Sequence, residues 1–99
     1  VVIPYDDSGA DPESDAVGIA NDSRYGLVGA VWSADDGRAA AVASRLQAGS
    51  VAINSTAVLD FGSPFGGFKQ SGIGREGAPE GIAQFVEYQA IIRPPRKDS

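Results

Sequence analysis

The side chains that most often carry out covalent chemistry in proteins are missing from this sequence, which contains no cysteine and no histidine. A thiolate nucleophile, a Cys/His zinc site and a histidine general base are therefore excluded for this chain. Ser71 lies in no nucleophile elbow and has no histidine that could remove its proton. The candidates that remain are carboxylates and a stretch rich in glycine and phenylalanine, residues 55–76.

That stretch matches neither of the common nucleotide-binding motifs. In Gly66-Gly67-Phe68-Lys69 a phenylalanine separates the glycines from the lysine, and Gln70 stands where a phosphate-binding loop requires serine or threonine. Gly72-Ile73-Gly74 lacks the third glycine of the dinucleotide fingerprint and follows no strand. The sequence therefore predicts no cofactor site within this chain.

Charge and composition exclude further classes of function. The 13 acidic and 8 basic residues give a net charge of −5, which repels phosphate backbones, so we expect no nucleic-acid partner. No apolar run approaches the roughly 20 residues that cross a bilayer, and no signal-peptide pattern opens the chain. We therefore expect no membrane partner and a cytoplasmic location. Five early acids could suggest Ca²⁺ but miss the EF-hand spacing and are typical of a solvated loop and helix start: Asp6, Asp7, Asp11, Glu13 and Asp15.

The hydrophobic pattern predicts strands that alternate with helices. In chain order it predicts a strand at 1–5, a helix capped by Asp11, a strand at 27–32, a helix capped by Ser33 or Asp35 with Gly49 as its left-handed C-terminal cap, and a strand at 51–53. Strands joined by such helices pair in parallel through right-handed crossovers. The two crossovers would place both helices on one face of the sheet, so the other face needs neighbours that this sequence lacks.

Two further elements follow the glycine-rich stretch. Pro79 is expected to open a helix whose apolar face is Ile82, Phe85 and Val86, and Tyr88–Ile92 is expected to form a last strand. Because the strand at 1–5 begins at the first residue, the chain is expected to come from something longer. An expression or processing trim is the alternative.

The run Pro64-Phe65-Gly66-Gly67-Phe68-Lys69-Gln70-Ser71-Gly72-Ile73-Gly74-Arg75-Glu76 closely resembles the near-C-terminal signature of the aldehyde dehydrogenase superfamily. The resemblance extends through Ile19–Leu27, Gly29–Ser33 and Ala48–Asn54, in family order. Ala52 and Gly77 depart from it, because many members carry a bulkier aromatic residue and a leucine at those two positions.

The resemblance implies an α/β fold, namely a fragment of a parallel βαβαβ catalytic domain with a glycine-rich loop, a last helix and a C-terminal arm strand. Residues 1–87 would form the C-terminal part of the catalytic domain, and residues 88–99 the oligomerisation arm strand and tail. The full-length parent would use NAD or NADP to oxidise a small aldehyde to a carboxylic acid. Its nucleophilic cysteine, general base and cofactor loops would lie upstream, so this chain alone is expected to be inactive and to bind no cofactor. Its partners would be the remainder of the parent enzyme and a second subunit.

The resemblance also implies roles for individual residues. Ser55, Leu59 and Phe65 would line the aldehyde tunnel, and Glu76 would serve a proton relay for thioester hydrolysis. Phe65 could instead be a core aromatic, and Glu76 a cap or ion-pair partner at the start of the last helix. Lys69 and Arg75 are expected to hold the loop or an interface. The residues that would contact another subunit are Ala90, Ile91 and Ile92.

Two other classes of function stay open at this point. One is a stand-alone assembly or regulatory module that pairs its last strand with a full-length enzyme. The other is a small-molecule binder that uses the aromatic loop without catalysis.

Overall fold

The computed structural model describes residues 2–97, which contain three helices and four short strands. The helices are α1 (Pro12–Asn21), α2 (Asp36–Ala43) and α3 (Ala78–Ala83). The strands are β1 (Tyr25–Gly26), β2 (Val28–Val31), β3 (Ser50–Ile53) and β4 (Phe68–Lys69).

The centre of the fold is the parallel pair of β2 and β3, which α2 connects as the sequence predicts. The register runs from Val28 opposite Ser50 to Val31 opposite Ile53. Two of the three buried apolar residues belong to this unit, Ala39 on α2, which is 0% exposed, and Ala52 on β3. Alanine at both positions lets the helix approach the strands closely.

Local capping fixes the starts of the first two helices. The Asp11 carboxylate accepts a hydrogen bond of 3.1 Å from the Ser14 N–H, which confirms this residue as the cap of α1. At α2 the cap is Asp35, which accepts from the Arg38 N–H at 2.9 Å. Ser33 instead exchanges hydrogen bonds of 2.8 and 2.9 Å with the side chain of Asn54, which joins the ends of β2 and β3.

The strand predicted at 1–5 is not formed by the residues that the structure describes. Residues 2–5 lie outside any strand and Val2 is 92% exposed, while Val1 lies outside the described residues. A strand needs a neighbour with which to exchange backbone hydrogen bonds, and no described segment forms such bonds with residues 2–5. The α/β class of the prediction is confirmed by the parallel β2-α2-β3 unit, while the first strand of the predicted βαβαβ arrangement is not formed within residues 2–97.

Gly49 has a different role from the predicted left-handed cap. α2 ends at Ala43, Ser44 caps it in the right-handed region, and Gly49 does not have a positive φ. A Cβ added at Gly49 would overlap the carbonyl oxygen of Gly66. Glycine is required here because two segments of backbone meet without space for a side chain.

The end of the chain also differs from the prediction. α3 begins beside Pro79 as expected but ends at Ala83, so Phe85 and Val86 lie beyond it. Residues 84–97 form neither helix nor strand, and Ile91 and Ile92 are 80% and 89% exposed. The predicted strand over Tyr88–Ile92 is wrong for this chain by itself, because no described residues pair with it.

The chain is elongated, with dimensions of 76 × 27 × 22 Å and a radius of gyration of 20.2 Å. A compact domain of this length has a radius of gyration of about 13 Å. The buried apolar residues among those described are all small, Val17, Ala39 and Ala52. Most of the large apolar side chains therefore remain available for contacts outside the chain.

Candidate functional site

An antiparallel pairing of Phe65 with Glu76 closes the base of the glycine-rich loop. The Phe65 N–H donates to the Glu76 carbonyl oxygen at 2.8 Å, and the Glu76 N–H donates to the Phe65 carbonyl oxygen at 2.7 Å. The sequence predicts no pairing within this stretch, because a bridge of one residue pair leaves no periodic pattern. The pairing brings together two residues for which the sequence suggests roles in the site.

A cavity of about 300 Å³ lies against this pairing. Its wall brings together three of the four residues assigned by resemblance to the tunnel and the relay, which are Leu59, Phe65 and Glu76, and it also includes Asp60, Phe61, Ser63 and Gly77. Ser55 is not part of the wall, and its hydroxyl accepts a hydrogen bond of 2.9 Å from the Ala57 N–H. The Leu59 side chain is 71% exposed, so the wall is open on that side.

The two carboxylates of the wall differ in their partners. The Asp60 carboxylate accepts a hydrogen bond of 2.8 Å from the Ser63 hydroxyl, which closes a local turn. Glu76 is exposed, and within residues 2–97 its carboxylate has no hydrogen-bond or ion-pair partner. The start of α3 has no side-chain cap. The alternative role of Glu76 as a helix cap or ion-pair partner is thus not realised within the described residues.

Gly77 turns the chain from the Phe65–Glu76 pairing into α3. Its φ of 72° lies in the left-handed region that favours glycine, and a Cβ there would lie 3.3 Å from the Ser63 carbonyl oxygen. Glycine at position 77, where many members of the aldehyde dehydrogenase superfamily carry leucine, therefore suits the local backbone.

Lys69 holds the far end of the loop against the end of α1, as the sequence suggested. Its Nζ donates to the carbonyl oxygens of Asn21 at 2.8 Å and Ser23 at 3.0 Å. Such carbonyls have no partner within the helix, and a cationic donor satisfies them well. β4, which contains Lys69, also pairs antiparallel with β1, a contact that the sequence did not predict.

Arg75 likewise holds the loop, and it does not line the 300 Å³ cavity. Its Nη1 donates to the carbonyl oxygens of Gly67 at 3.0 Å and Gly74 at 2.8 Å, and the guanidinium lies 5.8 Å from the centre of the Phe68 ring. Sequence reasoning missed two polar partners of the loop. These are Ser71, whose hydroxyl accepts from the Gly26 N–H at 2.9 Å, and Gln84, whose side chain contacts the Arg75 backbone.

Asn21 joins the ends of α1 and α2 through its side chain. Its Nδ2 donates to the Arg45 carbonyl oxygen and its Oδ1 accepts from the Gln47 N–H, both at 2.9 Å. Since Lys69 binds the Asn21 carbonyl, one residue connects both helix ends with the loop. A polar residue at a helix end was the signal available in the sequence.

The perturbed ionisable groups lie away from the cavity. Hydrogen bonds from the Ser14 hydroxyl and N–H lower the pKa of Asp11, and hydrogen bonds from Ser8 lower the pKa of Asp6. The ion pair with Glu13 raises the pKa of Arg38. These shifts belong to the surface of α1 and to its contact with α2, and none of them involves the cavity wall.

The described part of the chain has neither of two features that the sequence analysis considered. Residues 2–97 contain no group of three or more metal-ligating side chains that could hold an ion. None of the helices described is long and apolar enough to cross a membrane.

Comparison with known proteins identifies the family. The family model for the aldehyde dehydrogenase family matches residues 1–91. Geranial dehydrogenase of Castellaniella defragrans is 48% identical over 79 residues, which are 80% of this chain and 16% of that protein. A 3-succinoylsemialdehyde-pyridine dehydrogenase of Pseudomonas is 47% identical over 91 residues, or 92% of this chain and 18% of that protein.

A solved structure supports the same conclusion. The crystal structure of Mycobacterium tuberculosis aldehyde dehydrogenase complexed with NAD⁺ superposes with a TM-score of 0.83 and 46% identity, over 93% of this chain and 18% of that one. The chain thus spans less than a fifth of the length of the proteins it matches, and its α/β fold agrees with part of theirs. On these matches and on the signature at residues 64–76, the chain belongs to the aldehyde dehydrogenase family.

Proposed function

We propose that this chain serves as part of an NAD(P)-dependent aldehyde dehydrogenase that oxidises an aldehyde to a carboxylic acid. Within that enzyme it supplies a wall of the substrate tunnel and contacts with another subunit. The observation that carries the proposal is the cavity at the Phe65–Glu76 pairing, whose wall combines Leu59, Phe65 and Glu76. The relatives that match are named as dehydrogenases of aldehydes and semialdehydes.

The apolar part of this wall suits the binding of an aldehyde. Phe65 and Leu59 present aromatic and aliphatic surface, which removes water from the body of the aldehyde and orients it for attack. The backbone N–H and carbonyl oxygen of Phe65 both hydrogen-bond to the backbone of Glu76, so this pairing fixes the position of Phe65.

Glu76 supplies the polar part of the wall. Its carboxylate is exposed and has no partner among residues 2–97, so it is available to accept a proton from water. In our proposal Glu76 acts in the parent enzyme as a base for the hydrolysis of the acyl-enzyme. In this proposal the nucleophile and the cofactor site belong to other parts of the parent, because this chain contains no cysteine and its glycine motifs match no nucleotide-binding fingerprint. The cofactor, when bound there, accepts a hydride from the substrate.

The test of the wall is Phe65→Ala in the full-length enzyme. We expect the apparent affinity for apolar aldehydes to weaken by about 1–3 kcal/mol, the scale for losing a buried aromatic contact, with the KM for the cofactor nearly unchanged. Steady-state kinetics with apolar aldehydes measure the effect. Unchanged KM and kcat together with a lowered Tm would instead assign Phe65 to structure alone.

The test of the subunit contact is Ile91→Lys in the same enzyme. Ala90, Ile91 and Ile92 form an exposed apolar run whose backbone has no partner among the described residues. A segment whose backbone groups are unpaired can add as a strand to a sheet edge of a second chain. A lysine in such a dry interface should reduce the oligomer mass measured by light scattering at micromolar concentration, whereas Ile91→Val should leave it unchanged. An unaltered mass for Ile91→Lys contradicts the contact.

Binding measurements on the chain itself, beside its activity, separate the alternatives. The 99-residue chain should form no NAD(P)H from any aldehyde, because it has no thiolate. If it serves instead as an assembly module, it should bind the full-length enzyme. If it is a small-molecule binder, aldehydes should change the fluorescence of Trp32.

A further inference from the structure

We infer that Gln84 is a positioning residue for the tunnel wall, a role that rests on the function proposed above and deepens it. The side chain of Gln84 forms a clamp on the backbone of Arg75. Its Oε1 accepts from the Arg75 N–H at 3.3 Å, and its Nε2 donates to the Arg75 carbonyl oxygen. The same Nε2 donates to the Gly81 carbonyl oxygen of α3 at 3.1 Å, which fixes the orientation of the carboxamide.

The clamp acts on the segment that carries Glu76. In extended backbone the N–H and C=O of one residue point to one side, and those of the next residue point to the opposite side. Glu76 directs its two backbone groups to Phe65, and Arg75 directs its two groups to Gln84. The carboxamide thus makes the hydrogen bonds that a third strand would otherwise make. Both edges of the 75–76 segment are therefore hydrogen-bonded.

This arrangement links α3 to the wall of the cavity. Gln84 does not line the 300 Å³ cavity, although it lines a second cavity of about 840 Å³ together with Phe65 and Glu76. Its effect on the wall of the 300 Å³ cavity is therefore indirect. Gln84 restrains Arg75, and through the next peptide it restrains Glu76 and its partner Phe65. Without the clamp, one edge of the 75–76 segment loses its hydrogen bonds, and the aromatic wall becomes less well ordered.

The first test is hydrogen exchange on the full-length enzyme with Gln84→Ala. We expect the amides of Arg75 and Glu76 to exchange roughly 3- to 10-fold faster, the change that follows from losing one or two net hydrogen bonds. Glu80→Ala is the matched control, because Glu80 lies one turn earlier on α3 and its side chain makes no hydrogen bond among the described residues. Unchanged exchange in Gln84→Ala overturns the inference, whether or not the enzyme is active.

The second test separates positioning from a merely structural role. We expect the KM for a long aliphatic aldehyde to rise by roughly 3- to 10-fold in Gln84→Ala, while the KM values for a two-carbon aldehyde and for the cofactor stay the same. Only the long substrate reaches along the wall. A uniform loss of kcat for all substrates, or faster exchange with no change in KM, overturns the positioning role.

The third test is a double-mutant cycle with Phe65→Ala. If Gln84 acts through Phe65, Gln84→Ala has no further effect on the KM in the Phe65→Ala background, and an undiminished effect there contradicts the inference. Gln84→Glu keeps the acceptor for the Arg75 N–H but turns a carboxylate oxygen toward the Arg75 and Gly81 carbonyl oxygens, so its KM should rise at least as far as that of Gln84→Ala. This variant serves the same comparisons if Gln84→Ala does not fold, and a wild-type KM for it contradicts the clamp.

Failure of the proposed function can be distinguished from failure of this inference. A wild-type enzyme without aldehyde-dependent turnover refutes the proposed function and with it the role of Gln84 in the wall. Hydrogen exchange still tests the clamp in that case.

Discussion

Residues 11–54 and residues 62–77 are held together in different ways. The first region has helices capped by their own aspartates and a regular parallel pair of strands around Ala39 and Ala52. The second region has short backbone pairings and depends on side chains that reach across the fold, among them Lys69, Ser71 and Gln84. The first region therefore has a conformation that is set locally, and the loop takes its conformation from its neighbours.

The largest effect is expected where the two regions meet. Gly49→Ala places a methyl group on the carbonyl oxygen of Gly66, so one of the two backbones must move. We expect a loss of about 3 kcal/mol in the free energy of unfolding of the full-length enzyme, measured by urea denaturation. Gly18→Ala is the control, because no described atom lies within 4 Å of the added Cβ and alanine favours a helix. Equal stability of the two variants would contradict the close approach.

A smaller effect is expected from releasing the loop alone. Lys69→Met keeps the length of the side chain but removes both hydrogen bonds to the end of α1. We expect a loss of about 1 kcal/mol, with faster hydrogen exchange in residues 66–72 than in β2 and β3. Lys97→Met is the control, because Lys97 is exposed and lies after α3, the last helix described. It should change neither the stability nor the hydrogen exchange. Equal increases of exchange in both regions would show that the loop is not a separate unit.

The smallest effect concerns the local cap of α1 and depends on pH. The pKa of Asp11 is lowered in the folded chain by the hydrogen bonds from Ser14, so its carboxylate contributes stability above its ordinary pKa of 3.8. That contribution is lost as the pH falls through the lowered value. Asp11→Asn should be slightly less stable than the wild type at pH 7, and the difference should vanish at strongly acidic pH. A difference in Tm that grows on acidification would contradict this assignment.

The contrast between the regions explains how much of the fold the sequence could predict. Asp11, the candidate cap Asp35 and the parallel pairing of β2 with β3 were predictable, because a cap depends on three neighbouring residues and each strand is an apolar run between turn residues. The strands expected at residues 1–5 and 88–92 were wrong for the part of the chain that the structure describes, because a strand exists only beside a neighbour. An apolar run gives no information on whether that neighbour is present.

The sequence predicted which residues belong to the candidate site but not how they are arranged. The signature singled out Phe65 and Glu76, and the structure places both on one cavity wall with Leu59. Their direct pairing leaves no pattern in the sequence, and Gln84 is a single polar residue beside an apolar face. Gly49 was recognised as a required glycine, but for backbone conformation and not for its contact with Gly66.

The contacts of Lys69 and Ser71 with the end of α1 and the strand after it also impose an order on folding. Lys69 lies 48 residues from Asn21, and Ser71 lies 45 residues from Gly26, much farther apart in the chain than the paired residues of β2 and β3. During synthesis the parallel unit can form once residue 54 has left the ribosome, whereas the loop must wait for residues 69–71. We therefore expect pulse-labelled amides of β2 and β3 to become protected before those of Gly26 and Gln70. The early unit then serves as the template on which the glycine-rich loop is built.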